Sequence, residues 1–178
     1  MTPSSEGVAT QLSAGALAGH WTLDPAQSTV LLRAKTFWGL TTVKGRFGEV
    51  SGQGDVTPDG QVSGRLSVAS ASVDTRNPRR DTHLRSDDFF SADTHAAITF
   101  DLSGVDTAGE QPTVAGTLTV REQSQPLTFP VSASVSDSGE VTVDATVTVD
   151  RTAHGLTWNR GGMVGKTATI DVHAVFTR

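Results

Sequence analysis

The chain of 178 residues contains no cysteine and no tyrosine. The first absence removes disulfides, thiol catalysis and zinc–thiolate sites together. The second removes one common general acid. Long apolar runs are missing too: no stretch approaches the roughly 18 consecutive apolar residues of a membrane-spanning helix. The opening MTPSSEGVATQLSAGALAGHW has neither a basic start nor an unbroken apolar segment, so it does not read as a secretory leader. The expectation is a soluble cytoplasmic protein, periplasmic or secreted only if a leader has been removed. Positive charge is in deficit: 14 Lys and Arg stand against 19 Asp and Glu, for a net charge of −5. That leaves no basic footprint for nucleic acid.

Several chemistries lack their spacing. The histidines His20, His83, His95, His154 and His173 show no metal-ligand pattern, and no metal is expected. Ser86 and Ser124 have no nucleophile elbow around them. Gly161, Gly162, Met163 and Gly165 form a glycine-rich turn without the Lys-Ser/Thr of a phosphate loop; a lid over one end is its candidate role.

What is present is period-two alternation. Val62, Gly64, Leu66 and Val68 share one face of a segment whose other face is Ser63, Arg65 and Ser67. The same pattern recurs at 97–102, 113–121, 127–135, 141–149 and 167–176, and shorter strands are expected at 20–23, 29–37 and 41–55. Turn signals separate them: Asp24-Pro25, Thr57-Pro58-Asp59-Gly60, 106–111, Gln123-Ser124-Gln125 and Asp137-Ser138-Gly139. Such segments have one dry and one wet face and pair with their sequence neighbours antiparallel. About eight of them close most simply as an antiparallel β-barrel, although a two-sheet sandwich has the same one-dimensional signature. Residues 1–18 are small and polar and read as a flexible tail, with a short helix over 9–18 as an option; residues 19–178 read as a single domain.

One stretch breaks the alternation: D-T-R-N-P-R-R-D-T-H-L-R-S-D-D-F-F, 74–90. Pro78 suits the first turn of a helix, and a short helix is expected within 78–90, with Leu84 and Phe89 or Phe90 turned inward. Asp81 and His83 invite an acid–base reading. The blander reading, an Asp81–Arg pair that fixes the loop to the barrel, is favoured.

Ordered along the chain are W-T-L-D-P-A-Q-S (21–28), V-K-G-R-F-G-E-V-S-G (43–52), V-D-T-R (73–76), R-D-T-H-L-R-S-D-D-F-F (80–90), I-T-F (98–100), G-T-L-T-V-R (116–121) and H-G-L-T-W (154–158). In order and spacing these resemble the YceI-like family of lipocalin-like, polyisoprenoid-binding proteins. The resemblance covers roughly residue 20 to the C-terminus. It implies an all-β fold, an eight-stranded lipocalin-like barrel around an apolar tunnel. It also implies a long amphipathic lipid inside, polyisoprenoid or isoprenoid quinone-like, for transport, storage or sequestration. No catalysis and no cofactor beyond that lipid are implied, and a homodimer is compatible with it.

The residues offered for the wall are Phe37, Trp38, Phe47, Leu84, Phe89, Phe90, Phe100, Phe129, Trp158 and Met163. Taken singly, each aromatic is better read as core packing; taken as a set, the resemblance favours a cavity. Arg80, His83 and Arg85 are candidates for a head group at the tunnel mouth. The alternatives are an enzyme acting on a small amphipathic substrate and a stress-related structural module with a filled barrel.

Overall fold

The structure, a computed structural model, describes residues 5–178. Helix α1 (Ser5–Ser13) precedes strands β1 (Gly19–Leu23), β2 (Thr29–Thr36), β3 (Thr41–Phe47), β4 (Val50–Val56), β5 (Val62–Ala69) and β6 (Val73–Asp74). Helix α2 (Pro78–Arg85) leads into β7 (Ala97–Asp106), β8 (Thr113–Val120), β9 (Gln123–Pro130), β10 (Ser132–Val135), β11 (Val141–Asp150) and β12 (Thr167–Thr177). Every pairing is antiparallel.

Among the described residues twelve strands stand where about eight were expected: β1 and β2, read as separate segments, lie end to end along β12, and three further barrel strands are broken. The β1–β2 strand turns at Asp24, whose Oδ1 accepts from Ala26 N at 2.9 Å. β3 gives way to β4 at Gly48, and β5 to β6 at the 3-10 turn Ser70–Ser72; Gly48 N donates to Ser72 O at 3.0 Å, so the two kinks are tied to each other. β9 gives way to β10 after Pro130. Proline has no N–H for the ladder, and Val131 N donates instead to Pro112 O at 2.9 Å.

The strand order is β6-β3-β2-β12-β1-β4-β5-β7-β8-β9, with β11 joining β12 to β10. Since β10 continues β9, pairing comes back round to β12 at one end of the barrel. At the other end it does not: β9 and β11 are not paired, and the gap is spanned by Gln125 Nε2 donating to Ala153 O at 3.2 Å and by His154 Nδ1 against Gln123 O at 3.0 Å. The barrel therefore keeps one open seam instead of losing all its edges. The turn expected at Gln123–Gln125 is itself strand. The reversal is the two residues before it, with Arg121 at φ 58 and the Val120–Gln123 pair closing the hairpin.

The stretch expected as a tail is packed over its described part; residues 1–4 lie outside the described residues. α1 presents Val8 and Leu12, four apart on one helix face, and with Leu17 and Trp21 they form a buried cluster against Val56, Val62 and Phe176. Trp21 Nε1 donates to Leu17 O at 2.9 Å, and the Arg178 guanidinium lies 4.8 Å from the Trp21 ring centroid. The helix thus closes the barrel end formed by the 57–61, 107–112 and 136–140 turns.

Candidate functional site

The inner faces of the strands enclose a cavity of about 520 Å³. Its wall is the alternating set read from the sequence, for example Leu66, Ile98, Leu118, Val147 and Ile170. Two rings stand within it: Phe100 and Phe129, on β7 and β9, lie 5.4 Å apart between centroids. The room depends on small residues among large ones. A Cβ at Gly116 would overlap the Phe100 ring.

At the end away from α1, two long connections shape the mouth. The first carries α2. Asn77 caps the helix, its Oδ1 accepting from Arg80 N at 3.1 Å, and Pro78 occupies the first turn. Asp81 is buried and accepts from Thr75 N at 2.9 Å and Thr75 Oγ1 at 2.5 Å. Arg80 donates to the same residue, Nε to Thr75 Oγ1 at 2.8 Å and Nη2 to Thr75 O at 3.0 Å. The expected Asp81–Arg pair is not formed among the described residues; the partner of Asp81 is Thr75. After the helix the chain folds back on itself, Phe90 N donating to Leu84 O at 2.9 Å and Ser91 N to Ser86 O at 2.9 Å. This turns Leu84, Phe89 and Phe90 inward, with the Phe90 ring 5.9 Å from Phe47.

The second connection, 151–166, is organised by Arg151, a residue without a role in the sequence reading. Its buried guanidinium donates to four carbonyls of its own loop: Leu156 O, Trp158 O at 3.2 Å, Val164 O at 3.3 Å and Gly165 O at 2.7 Å. Burial lowers its pKa from the ordinary arginine value, an effect that nearby Asp150 opposes. His154, buried alongside, lines the cavity. Nothing in the sequence distinguishes Arg151 from a surface arginine; only the loop carbonyls that converge on it do.

The two connections meet in a cluster of rings. His83 stands edge-on to Trp158 at 4.5 Å and to Phe89 at 5.1 Å, and its Nε2 lies 2.8 Å from Asp88 Oδ2. Arg80 and His83 both face the cavity. Asp81 points to Thr75 while His83 pairs with Asp88, so the two do not form an acid–base pair.

The sequence profile of the YceI-like domain matches residues 21–176. The chain belongs to the YceI-like family. It is 30% identical over 171 residues to the UPF0312 protein SA2479 of Staphylococcus aureus strain N315, covering 89% of this chain and 97% of the relative. The UPF0312 protein MW2606 of strain MW2 is similar to the same degree, 30% over 171 residues with the same coverage. Among solved structures the fold is similar to Burkholderia cenocepacia BcnA, with a TM-score of 0.77 at 23% identity, over 86% of this chain and 98% of that one. It is similar too to a polyisoprenoid binding domain from Saccharophagus degradans implicated in plant cell wall breakdown, with a TM-score of 0.69 at 16% identity, over 88% and 97%. These likenesses establish the fold, an antiparallel lipocalin-like barrel.

Within this YceI-like barrel, seven of the ten expected wall residues line the cavity: Phe47, Leu84, Phe89, Phe90, Phe100, Phe129 and Trp158. Phe37, Trp38 and Met163 do not. Phe37 and Trp38 form the turn between β2 and β3, where the left-handed backbone directs them out of the barrel, and they are exposed by 52% and 69%. Met163 sits in the 151–166 connection, its carbonyl accepting from Trp38 N at 3.3 Å. Of the head-group candidates, Arg85 is turned away, its guanidinium donating to Ala71 O at 2.8 Å and Val73 O at 3.0 Å. Missed by the sequence reading were Val8, Leu12, Leu17 and Trp21, which form the cavity floor. The i, i+4 spacing of Val8 and Leu12 was the available signal.

Proposed function

We propose that this YceI-like protein binds a long-chain amphipathic lipid, of polyisoprenoid or isoprenoid quinone-like class, in the barrel interior, and transports, stores or sequesters it. The carrying observation is the apolar cavity of about 520 Å³, a volume in the range of small-molecule sites. Transfer of apolar chain out of water contributes about 0.8 kcal/mol per methylene. An isoprenoid tail therefore needs shape more than polar contacts. The cavity is closed below by α1 and bordered above by Arg80 and His83, so the tail lies inward and a hydroxyl, carbonyl or phosphate head sits at those two residues. The polyisoprenoid-binding domain with the same fold supports this choice of lipid. A binding role without catalysis fits the separation of Asp81 from His83.

The test is extraction of the purified protein with organic solvent, followed by mass spectrometry. Co-purification of a long-chain isoprenoid in near-stoichiometric amount is the expected result. Protein that carries no lipid and takes up none when offered geranylgeraniol would overturn the reading.

A further inference from the structure

The residues that left the cavity form a feature of their own. Phe37, Trp38 and Leu40 are exposed by 52%, 69% and 84%, on a hairpin tip that contains no charged residue. Phe37 and Trp38 have φ of 50° and 56° and are followed by Gly39 at 88°. Gly39 N donates to Thr36 O at 3.1 Å, so Phe37 and Trp38 are the two central residues of a tight turn. Two left-handed central positions favour Asn and Gly; large aromatics there carry strain that folding alone does not call for.

The tip is part of the mouth. Trp38 N donates to Met163 O at 3.3 Å, and Gly165 N donates to Lys35 O at 2.8 Å. These bonds fasten the hairpin to the connection whose Trp158 and Val164 line the cavity. Exposed cations stand beside the tip. Exposed Lys35 and Lys44 flank the tip on β2 and β3, and exposed Arg160 stands in the 151–166 connection, whose Arg151 is buried and whose Lys166 lies 3.2 Å from Asp150 Oδ2. The α2 connection carries Asp87, Asp88 and Asp93 beside Arg76 and Arg79, and the turns at the α1 end carry Asp59, Glu110, Asp137 and Glu140.

We propose that this Phe-Trp-Gly-Leu tip inserts into the interfacial layer of an anionic lipid bilayer and seats the cavity mouth against it for lipid exchange. The inference rests on the lipid-carrier reading. Tryptophan beside apolar side chains favours the headgroup level of a bilayer, and neighbouring cations are drawn to anionic lipid. The acidic far end is repelled, which sets the orientation. A tip of three exposed apolar side chains gives weak, reversible attachment, as a carrier that must leave requires.

Flotation with phosphatidylglycerol vesicles and with phosphatidylcholine vesicles tests it, using the full chain and a Phe37→Ser/Trp38→Ser/Leu40→Ser variant. All three side chains are on the surface, so the variant folds, as circular dichroism will check. Wild type is expected to float with phosphatidylglycerol more than with phosphatidylcholine, and the variant's bound fraction to fall by about tenfold or more. A wild type that stays with the soluble fraction, or a variant that floats equally well, overturns the proposal; in the second case a different surface does the docking. Binding of geranylgeraniol dispersed from solvent tests the cargo separately. If wild type floats but takes up none, the carrier reading falls and the docking surface stands.

Discussion

The ring of Phe100 lies over Gly116 of the neighbouring strand so closely that a Cβ at 116 has no room. Gly116 faces Leu102 in the register, and Phe100 faces Leu118, so the ring crosses the ladder diagonally to cover the glycine. A strand glycine that weakens β8 is thus the space that the Phe100 ring occupies. Gly116→Ala should cost about 1–3 kcal/mol of stability, the usual range for overpacking. In a Phe100→Ala background the ring's share of that cost should disappear, while the share from the Asp101 carbonyl, which the new Cβ also meets, should remain. Urea unfolding of the four proteins of the cycle measures the coupling, and additive costs would refute the contact.

Asp81 secures α2 through Thr75 alone. Removing its carboxylate strands the Thr75 N–H and hydroxyl in a buried position, at a cost of about 1–3 kcal/mol. Asp81→Ala should therefore be clearly destabilised in urea unfolding. Asp81→Asn, which keeps one acceptor oxygen, should recover part of the loss. Lipid binding measured per folded molecule should change little in either variant, because Asp81 does not face the cavity; a large loss of affinity at full stability would reassign it to the site.

Asp150 begins the 151–166 connection and reports on it through pH. Its Oδ1 accepts from Thr152 Oγ1 at 2.6 Å and Thr152 N at 2.9 Å, and Lys166 Nζ lies 3.2 Å from Oδ2. The Thr152 hydroxyl, then Lys166 and the Thr152 amide, hold the carboxyl down at about 2 against some desolvation. A depressed folded pKa means that the stabilisation is complete above the unfolded value near 3.8 and is lost as pH falls towards about 2. Acid titration of stability should show this loss in wild type and a weaker slope over that window in Asp150→Asn. The site is exposed, so the difference will be small, and equal slopes would show that the cap contributes nothing.

The barrel wall was legible because each inward residue is two positions from the next, a pattern that survives even where a strand is broken. Ile98, Phe100 and Leu102, or Val147 and Val149, needed no tertiary information to be placed. The α2 stretch was legible for a different reason: Pro78 and the residues after it break the alternation and supply a helix start. Phe37 and Trp38 were misplaced because an aromatic pair next to a strand reads as strand, and the left-handed turn that expels it has no signature without Asn or Gly. Arg151 was invisible since its function lies in carbonyls up to fourteen residues away, brought to it only by the loop it closes. The seam between β9 and β11 was likewise beyond the sequence, being a matter of which edges meet.

Arg151 offers a prediction on that loop. Its guanidinium satisfies four carbonyls at once, and a lysine has neither the planar fork nor enough donors directed at the same points. Arg151→Lys should thus behave like Arg151→Met, each losing about 2 kcal/mol or more. Amide exchange within 156–165 should accelerate far more than exchange in β7 and β8. Full rescue by lysine would mean that charge alone holds the connection.

The cavity itself makes the last prediction. Ala145, on β11, lies on the wall opposite Val172 of β12. An indole at this position extends into empty space, so the usual penalty for overpacking a filled core does not apply in full. If the barrel is a lipid site, Ala145→Trp should fold with a stability within about 1 kcal/mol of wild type and lose the co-purifying lipid. If the barrel is closely packed in solution, the same indole has nowhere to go, and the variant should be destabilised by several kcal/mol. Urea unfolding and mass spectrometry on one preparation distinguish the two: intact stability with lipid lost identifies the cavity as the site. Intact stability with lipid retained would place the lipid elsewhere on the protein.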